Sequence, residues 1–139
     1  DGDDSIVGGG AKDTIYGGAG DDIILADAGN DVIDGGPGND TIDGGAGADT
    51  ITVSGGSDDI TTGAGNDRII FMRCEATHTI RNFSTGDILD LTDWSSLGAV
   101  TVTAQGADVL VRSGLEGIVV KAASVANVKA AITGATVVP

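Results

Sequence analysis

This chain is poor in almost everything a conventional domain core is built from. Aromatic residues make up 3% of its 139 residues, with one Trp, one Tyr and two Phe, so no large ring cluster can anchor a core of the usual kind. Cys74 is the single cysteine; a disulfide framework is excluded, and a lone thiol reads as a small buried hydrophobe. His78 is the single histidine. A His-Glu-x-x-His zinc site therefore cannot be assembled, and no Gly-x-Ser-x-Gly elbow occurs. With no isolated carboxylate pair flanking an evident cleft, the chain does not read as an enzyme. No run of eighteen apolar residues is present, so no helix is expected to span a membrane. No N-terminal signal peptide is seen, but the chain opens inside a repeat unit and so reads as part of something longer. Bases are scarce as well: 7 Lys and Arg stand against 21 Asp and Glu, a net charge of −14. A polyphosphate would be repelled, which excludes nucleic acid as a partner. The imbalance is local, because residues 1–70 hold 15 acids and 2 bases (−13) and residues 71–139 hold 6 acids and 5 bases (−1).

What the chain does have is glycine, 24 of them, set in a period of nine residues. The pattern Gly-Gly-x-Gly-x-Asp-x-Ile-x runs from Gly8 to Ile70, preceded by a truncated unit from Gly2 to Val7. Its sixth position is always aspartate (Asp4, Asp13, Asp22, Asp31, Asp40, Asp49, Asp58, Asp67), and its eighth is always isoleucine (Ile6, Ile15, Ile24, Ile33, Ile42, Ile51, Ile60, Ile69). A flexible glycine linker would not keep two columns in register. The Asp-x-Ile-x part suits a short strand with Ile on one side, and the glycine-rich part suits a turn with backbone angles that a Cβ disfavours.

One isoleucine per unit cannot offset the entropy of ordering nine residues. Stacked carboxylates add repulsion, so the array needs a cation between its turns. Carboxylate and carbonyl oxygens are hard ligands, and they point to calcium rather than zinc or copper.

The array closely resembles the RTX β-roll family of secreted bacterial proteins, a repeat signature associated with calcium. That resemblance implies an all-β fold, a right-handed parallel β-roll with two nonapeptides per turn, so that each unit stacks on the one eighteen residues later. Ile6, Ile24, Ile42 and Ile60 would then face Ile15, Ile33, Ile51 and Ile69 across a core one residue thick. It also implies a ligand set. In each gap the lower loop would give the carbonyls of its second and fourth residues and its Asp, and the upper loop those of its first and third residues and its Asp. Carried over, Gly9, Ala11 and Asp13 meet Ala26, Ala28 and Asp31. Likewise Gly18, Gly20 and Asp22 meet Gly35, Pro37 and Asp40, and Asp27, Gly29 and Asp31 meet Gly44, Ala46 and Asp49. Gly36, Gly38 and Asp40 meet Val53, Gly55 and Asp58, while Gly45, Gly47 and Asp49 meet Thr62, Ala64 and Asp67. An incomplete first gap would join Gly2 and Asp4 to Gly17, Ala19 and Asp22. The family thus implies about four to six Ca2+ ions in two rows on opposite edges. Some units depart from the pattern: Ala11 stands where glycine is usual, Ala26-Asp27-Ala28 replaces the leading glycines, and the unit from Val53 to Thr61 places its glycines late.

After Ile70 the period is lost. Residues 1–70 are expected to form the roll, and 71–139 a C-terminal cap of strands with a short helix. Phe71 to Cys74 reads as the end of a strand. Thr79 to Leu91 resembles the flank that closes the roll in RTX proteases, with Trp94 and Leu97 in the same cap and His78 in a turn or cap. Val100-Thr101-Val102-Thr103, Asp108 to Arg112 and Gly117 to Lys121 read as three antiparallel strands. Ser124 to Ile132 has helical spacing, with Ser124 as N-cap and Gly134 just past its end. The apolar tail Ala135 to Pro139 is similar to the C-terminal signal used by RTX proteins for one-step secretion.

The resulting expectation is a calcium-binding module that folds on meeting extracellular calcium and supports the type I secretion and stability of a bacterial protein. Its partners would be calcium and the type I secretion machinery. The alternative is a calcium-dependent binding or adhesion module for polysaccharide, a surface layer or a cell surface, as occurs in RTX modules of alginate epimerases and adhesins.

Overall fold

The structure is a computed structural model that describes residues 1–72, 76–93, 100–105, 108–113, 116–120, 128, 132–133 and 137–138. In chain order the strands are β1 (Ser5–Gly9), β2 (Thr14–Tyr16), β3 (Ile23–Asp27), β4 (Val32–Asp34), β5 (Thr41–Asp43), β6 (Thr50–Val53), β7 (Asp59–Thr61) and β8 (Arg68–Phe71). They are followed by β9 (Thr77–Arg81), β10 (Ile88–Asp90), β11 (Val100–Gln105), β12 (Asp108–Ser113), β13 (Glu116–Val120), β14 (Ile132–Thr133) and β15 (Val137–Val138).

From β1 to β10 successive strands fall alternately into two sheets. One has the order β1-β3-β5-β7-β9-β13-β12-β11-β15, the other β14-β10-β8-β6-β4-β2. Through the repeats every pairing is parallel and shifted by one full turn, with Ile6 on Ile24, Ile24 on Ile42 and Ile42 on Ile60 in the first sheet. In the second, Ile15 lies on Ile33, Ile33 on Ile51 and Ile51 on Ile69. This is the all-β parallel β-roll that the resemblance implies. The strands are short because each unit offers only one inward side chain between two glycine turns. That side chain is fully enclosed in the middle turns, where Ile24, Ile33, Ile51, Ile60 and Ile69 have no exposed surface.

The coil does not stop at Ile70. Ile80 of β9 stacks on Ile60, and Leu89 of β10 on Ile69, so residues 77–90 add one more turn. Larger side chains fill its interior: Phe71, Leu89 and Leu91 are fully buried with Val111 and Val128 in the same core. Outside it, Arg81 clamps the carboxylate of Asp59 through two hydrogen bonds of 2.8 and 2.7 Å, and Arg68 pairs with Asp90. Burial works against the charge on Asp90, but hydrogen bonds from Thr92 and Arg68 outweigh it and hold the carboxyl below the usual range.

The C-terminal strands extend this turn. β11, β12 and β13 form the expected antiparallel meander, and β13 joins the roll by parallel pairing with β9. β14 pairs with β10, and β15 with β11, both parallel. The strand expected to reach Cys74 ends at Phe71, and Cys74 lies outside the described residues. So do Trp94 and Leu97. Of the helix expected over Ser124 to Ile132, Val128 is described, as helical and buried, and Ile132 is in β14; the rest, with most of the apolar tail, lies outside. His78 lies in the expected cap region, not in a turn but on strand β9, fully buried. A buried position on a strand follows from its place two residues before Ile80 in the inward-facing column.

Candidate metal site

From Asp22 to Asp67 the aspartates of the column are buried. From Asp4 to Asp49 the main-chain N–H of each donates to Oδ1 of the aspartate eighteen residues on: Asp4 to Asp22 at 2.8 Å, Asp13 to Asp31 at 2.8 Å, Asp22 to Asp40 at 2.9 Å. The series continues from Asp31 to Asp49 at 2.8 Å, Asp40 to Asp58 at 2.9 Å and Asp49 to Asp67 at 3.0 Å. Alternate members belong to alternate loops, so the carboxylates form two ladders, one along each edge of the coil. The pairs named from the sequence are therefore brought together.

One oxygen of each carboxylate from Asp22 to Asp67 is thus used. Oδ2 of Asp13, Asp22, Asp31, Asp40, Asp49, Asp58 and Asp67 is buried and receives no hydrogen bond; at Asp58 it stands 3.0 Å from Nδ1 of His78, which itself accepts the Asp58 amide. A buried carboxylate oxygen without a donor carries a full desolvation cost. A row of them multiplies it. Burial, with help from neighbouring carboxylates, pushes the carboxyl of Asp40 up to about 6 and that of Asp67 up to about 6, and raises that of Asp49. In the absence of a cation the site disfavours its own charge.

Main-chain carbonyls share the space. A Cβ on Gly17 would lie 2.4 Å from Asp22 Oδ2 and 2.5 Å from the carbonyl oxygen of Gly35. These two oxygens, one from each loop of the gap, converge over a position that only glycine leaves open. Ala26 O and Asp13 Oδ2 meet likewise above Gly8, and Thr62 O and Asp49 Oδ2 above Gly44. Carbonyls at the second position of a loop point up at the next one: a Cβ on Gly36, where φ is +91°, would sit 1.9 Å from Gly18 O. Third-position carbonyls also lie between loops, with Ala19, Ala46, Pro37, Gly55 and Ala64 accepting amides from the turn below.

The irregular units keep this stacking by different means. Asp27 occupies a second position with φ 68°, a left-handed conformation that aspartate tolerates better than most residues. Ala11 has no positive φ, so its loop contains one left-handed residue, Gly9, where regular loops have two. Val53 turns its side chain into the core, and Gly55 behind it still accepts from Gly38 at 3.0 Å. Gly2 accompanies Asp4 at the first, most exposed gap, donating to Ala19 O at 2.6 Å. Gly20, Gly29, Gly45 and Gly47 sit in the interior loops, and each has its carbonyl against the glycine of the turn above. Ala28 joins them through bridges to Ala46, and Ala46 to Ala64.

The donor set is oxygen throughout, mixed carboxylate and carbonyl, with anionic oxygens that have no protein partner. That fits a hard divalent cation such as calcium and supplies no soft or nitrogen ligand for a transition metal within the repeats. The residues present thus fit the ion.

Reasoning from the repeat alone missed two members of the ladder. Asp67 N–H donates to Asp87 Oδ1 at 3.0 Å, and Asp58 N–H donates to His78 Nδ1 at 3.3 Å. The signal was there: His78-Thr79-Ile80 and Asp87-Ile88-Leu89 are nine residues apart. An insertion upstream shifts both by two, so that their stacking distance is 20 residues instead of 18.

The fold and its gaps define a parallel β-roll whose stacked loops are shaped around cations. The chain belongs to the RTX calcium-binding nonapeptide repeat family, whose model matches residues 1–33 and 34–69. Among solved structures, the solution structure of the AlgE6R3 subunit from the Azotobacter vinelandii mannuronan C5-epimerase is similar at TM-score 0.58 and 22% identity. The match covers 96% of this chain and 79% of that one, and at this identity the likeness concerns the fold. The AlgE6R2 subunit of the same enzyme aligns at TM-score 0.49 and 21% identity over 96% of this chain and 94% of that one. No curated protein matches the chain.

Proposed function

We propose that this chain is a calcium-triggered folding module, disordered at cytosolic calcium and folded outside the cell, which supports the type I secretion and stability of the protein that carries it. The buried Oδ2 oxygens that no protein donor satisfies carry this reading. Their charge is tolerable only with a cation between the loops, so the roll and its ions form together. Asp13, Asp22, Asp31, Asp40, Asp49 and Asp67 would bind through those oxygens, and Asp58 from the upper loop of the Asp40–Asp58 gap, with the loop carbonyls completing the coordination. Extracellular calcium modules bind at about 10⁻⁴–10⁻³ M, far above the free calcium of a cytosol. Inside the cell the repeats would remain extended and able to thread a channel. Outside, each site stabilises only the folded chain, so several weak sites acting together drive the transition. Export then becomes directional, because a chain that folds on the far side cannot slip back.

The last turn is the part least dependent on metal. It has Phe71, Leu89 and Leu91 inside and the Arg81–Asp59 and Arg68–Asp90 pairs outside. It would serve as the template on which earlier turns stack. No helix among the described residues is long and apolar enough to cross a membrane. The test is far-UV circular dichroism in chelator and then in millimolar calcium or magnesium. Calcium should convert a disordered spectrum to a β spectrum, and magnesium should do so poorly, because it gives up its water reluctantly. A full β spectrum in chelator would refute the proposal.

A further inference from the structure

The two ladders end differently, and the difference lies outside the matched repeats, at His78 and Asp87. Along one edge the column reads Asp4, Asp22, Asp40, Asp58 and then His78. Along the other it reads Asp13, Asp31, Asp49, Asp67 and then Asp87.

Between Asp67 and Asp87 the features of an interior gap recur. Asp87 is 2% exposed and its Oδ1 takes the Asp67 amide at 3.0 Å, the same bond made between interior aspartates. The strands stay in step: Ile88 N–H donates to Asp67 O at 2.7 Å, as Arg68 N–H does to Asp49 O at 2.8 Å. Asp67 Oδ2 is buried and unsatisfied. In an interior gap the corresponding oxygen, Asp22 Oδ2, meets the Gly35 carbonyl of the loop above. Asp87 differs in ending the column: its own N–H donates to Ser84 O at 3.4 Å instead of to a further aspartate, and its Oδ2 accepts the Ser84 N–H at 2.7 Å. The ladder is thereby closed above Asp87 by a main-chain donor, and left open below it.

Between Asp58 and His78 a ring nitrogen takes the place of the upper carboxylate. Nδ1 takes the Asp58 amide in place of a carboxylate oxygen, and the same nitrogen stands 3.0 Å from Asp58 Oδ2. Both side chains are 1% exposed, and the Phe71 ring lies against the imidazole at a centroid distance of 5.4 Å. The ring stands directly against Asp58 Oδ2, the kind of oxygen that the gaps below leave without a partner. It also offers nitrogen, a poor donor for calcium, and brings no negative charge in exchange for the carboxylate it replaces.

We infer that the Asp67–Asp87 gap is an additional calcium site beyond the repeats, with Asp67 Oδ2 and Asp87 as its carboxylate ligands, and that His78 closes the corresponding gap on the other edge to calcium. The rows are therefore unequal. One has gaps at Asp4–Asp22, Asp22–Asp40 and Asp40–Asp58; the other has gaps at Asp13–Asp31, Asp31–Asp49, Asp49–Asp67 and Asp67–Asp87. This inference rests on the calcium reading proposed above, and its test separates the two.

The experiment counts calcium bound per chain by calorimetry and by native mass spectrometry for the full chain and two variants. Asp87→Asn should bind one ion fewer than the parent, and His78→Asp one ion more. An unchanged count in Asp87→Asn would overturn the additional site, and an unchanged count in His78→Asp would overturn the closure. A parent chain that binds no calcium would instead refute the underlying reading. Should a variant fail to fold, crystals of the parent grown with terbium decide the matter through anomalous scattering. A peak between Asp67 and Asp87 with none between Asp58 and His78 supports the inference; the reverse pattern, or no peak in either gap beside peaks in the repeats, overturns it.

Discussion

Replacing Asp40 by Asn should have opposite effects with and without calcium. Asp40 faces two gaps: its Oδ1 caps the Asp22 amide at 2.9 Å and its Oδ2 lies unsatisfied toward Asp58. Asparagine retains the shape and one carbonyl oxygen to accept the Asp22 amide, but loses the charge. With calcium at 10 mM, a site of Kd 10⁻⁴–10⁻³ M contributes about 1.4–2.7 kcal/mol of stability, from RT ln(1 + [L]/Kd). Losing two such sites costs about 3–5 kcal/mol, a large part of the stability of a small domain. Without calcium the sign reverses. The Asp40 carboxyl is pushed up to about 6 because burial, and the nearby Asp58 and Asp22 carboxylates, disfavour its charge; the neutral amide relieves that at pH 7. Urea unfolding followed by circular dichroism, in 10 mM calcium and in chelator at acidic and neutral pH, measures both effects. Destabilisation of similar size with and without calcium would refute the reasoning, because it would make Asp40 a packing residue only.

Other consequences follow from the same geometry. The folded-state carboxyls of Asp40 and Asp67 lie at about 6 against an ordinary 3.8, so between those values the metal-free roll binds more protons than the unfolded chain and loses stability as pH rises. Metal-free β structure should therefore increase on acidification from pH 7 to pH 5, as circular dichroism in chelator would register. Calcium affinity should fall over the same interval, with proton release visible as a buffer-dependent heat in calorimetry. Gly17→Ala would force a methyl onto Asp22 Oδ2 and Gly35 O and should cost about 1–3 kcal/mol in calcium. Gly10→Ala meets nothing within 4 Å and has no positive φ, so its denaturation midpoint should correspond to a change within about 0.5 kcal/mol. Ile42→Ala empties a fully enclosed position in the ladder and should cost about 2–5 kcal/mol, raising the calcium concentration needed for folding.

Much of this architecture could be read from two columns of residues. A fixed Asp and a fixed Ile every nine positions put the Ile on one side of a short strand; that each unit stacks on the one eighteen residues later, and so pairs Ile24 with Ile42, is implied by the resemblance to the RTX family. The unsatisfied carboxylate oxygens follow as well, since a column that is always acidic and always two residues before a buried Ile is itself buried. What the period could not convey is what happens once it breaks. Two extra residues between Ile70 and His78 shift the stacking from 18 to 20 residues, so the turn that contains His78 and Asp87 is in phase with itself but not with the repeats. Leu89, twenty residues after its partner Ile69, could not be placed by counting for the same reason, whereas Phe71 keeps the eighteen-residue step from Val53. That larger side chains close the isoleucine stack depends on the volume at its end, a property of packing that no linear spacing encodes.

The dependence of the roll on cations between its loops is tested most directly by main-chain hydrogen exchange, resolved by residue, in chelator and in millimolar calcium. The amides of Gly18, Gly20, Asp22 and Asp40, each bonded to the next turn, should be strongly protected with calcium and should exchange at near-random-coil rates without it. Equal protection in both conditions would contradict the account, because the loops would then hold together by hydrogen bonds and isoleucine burial alone.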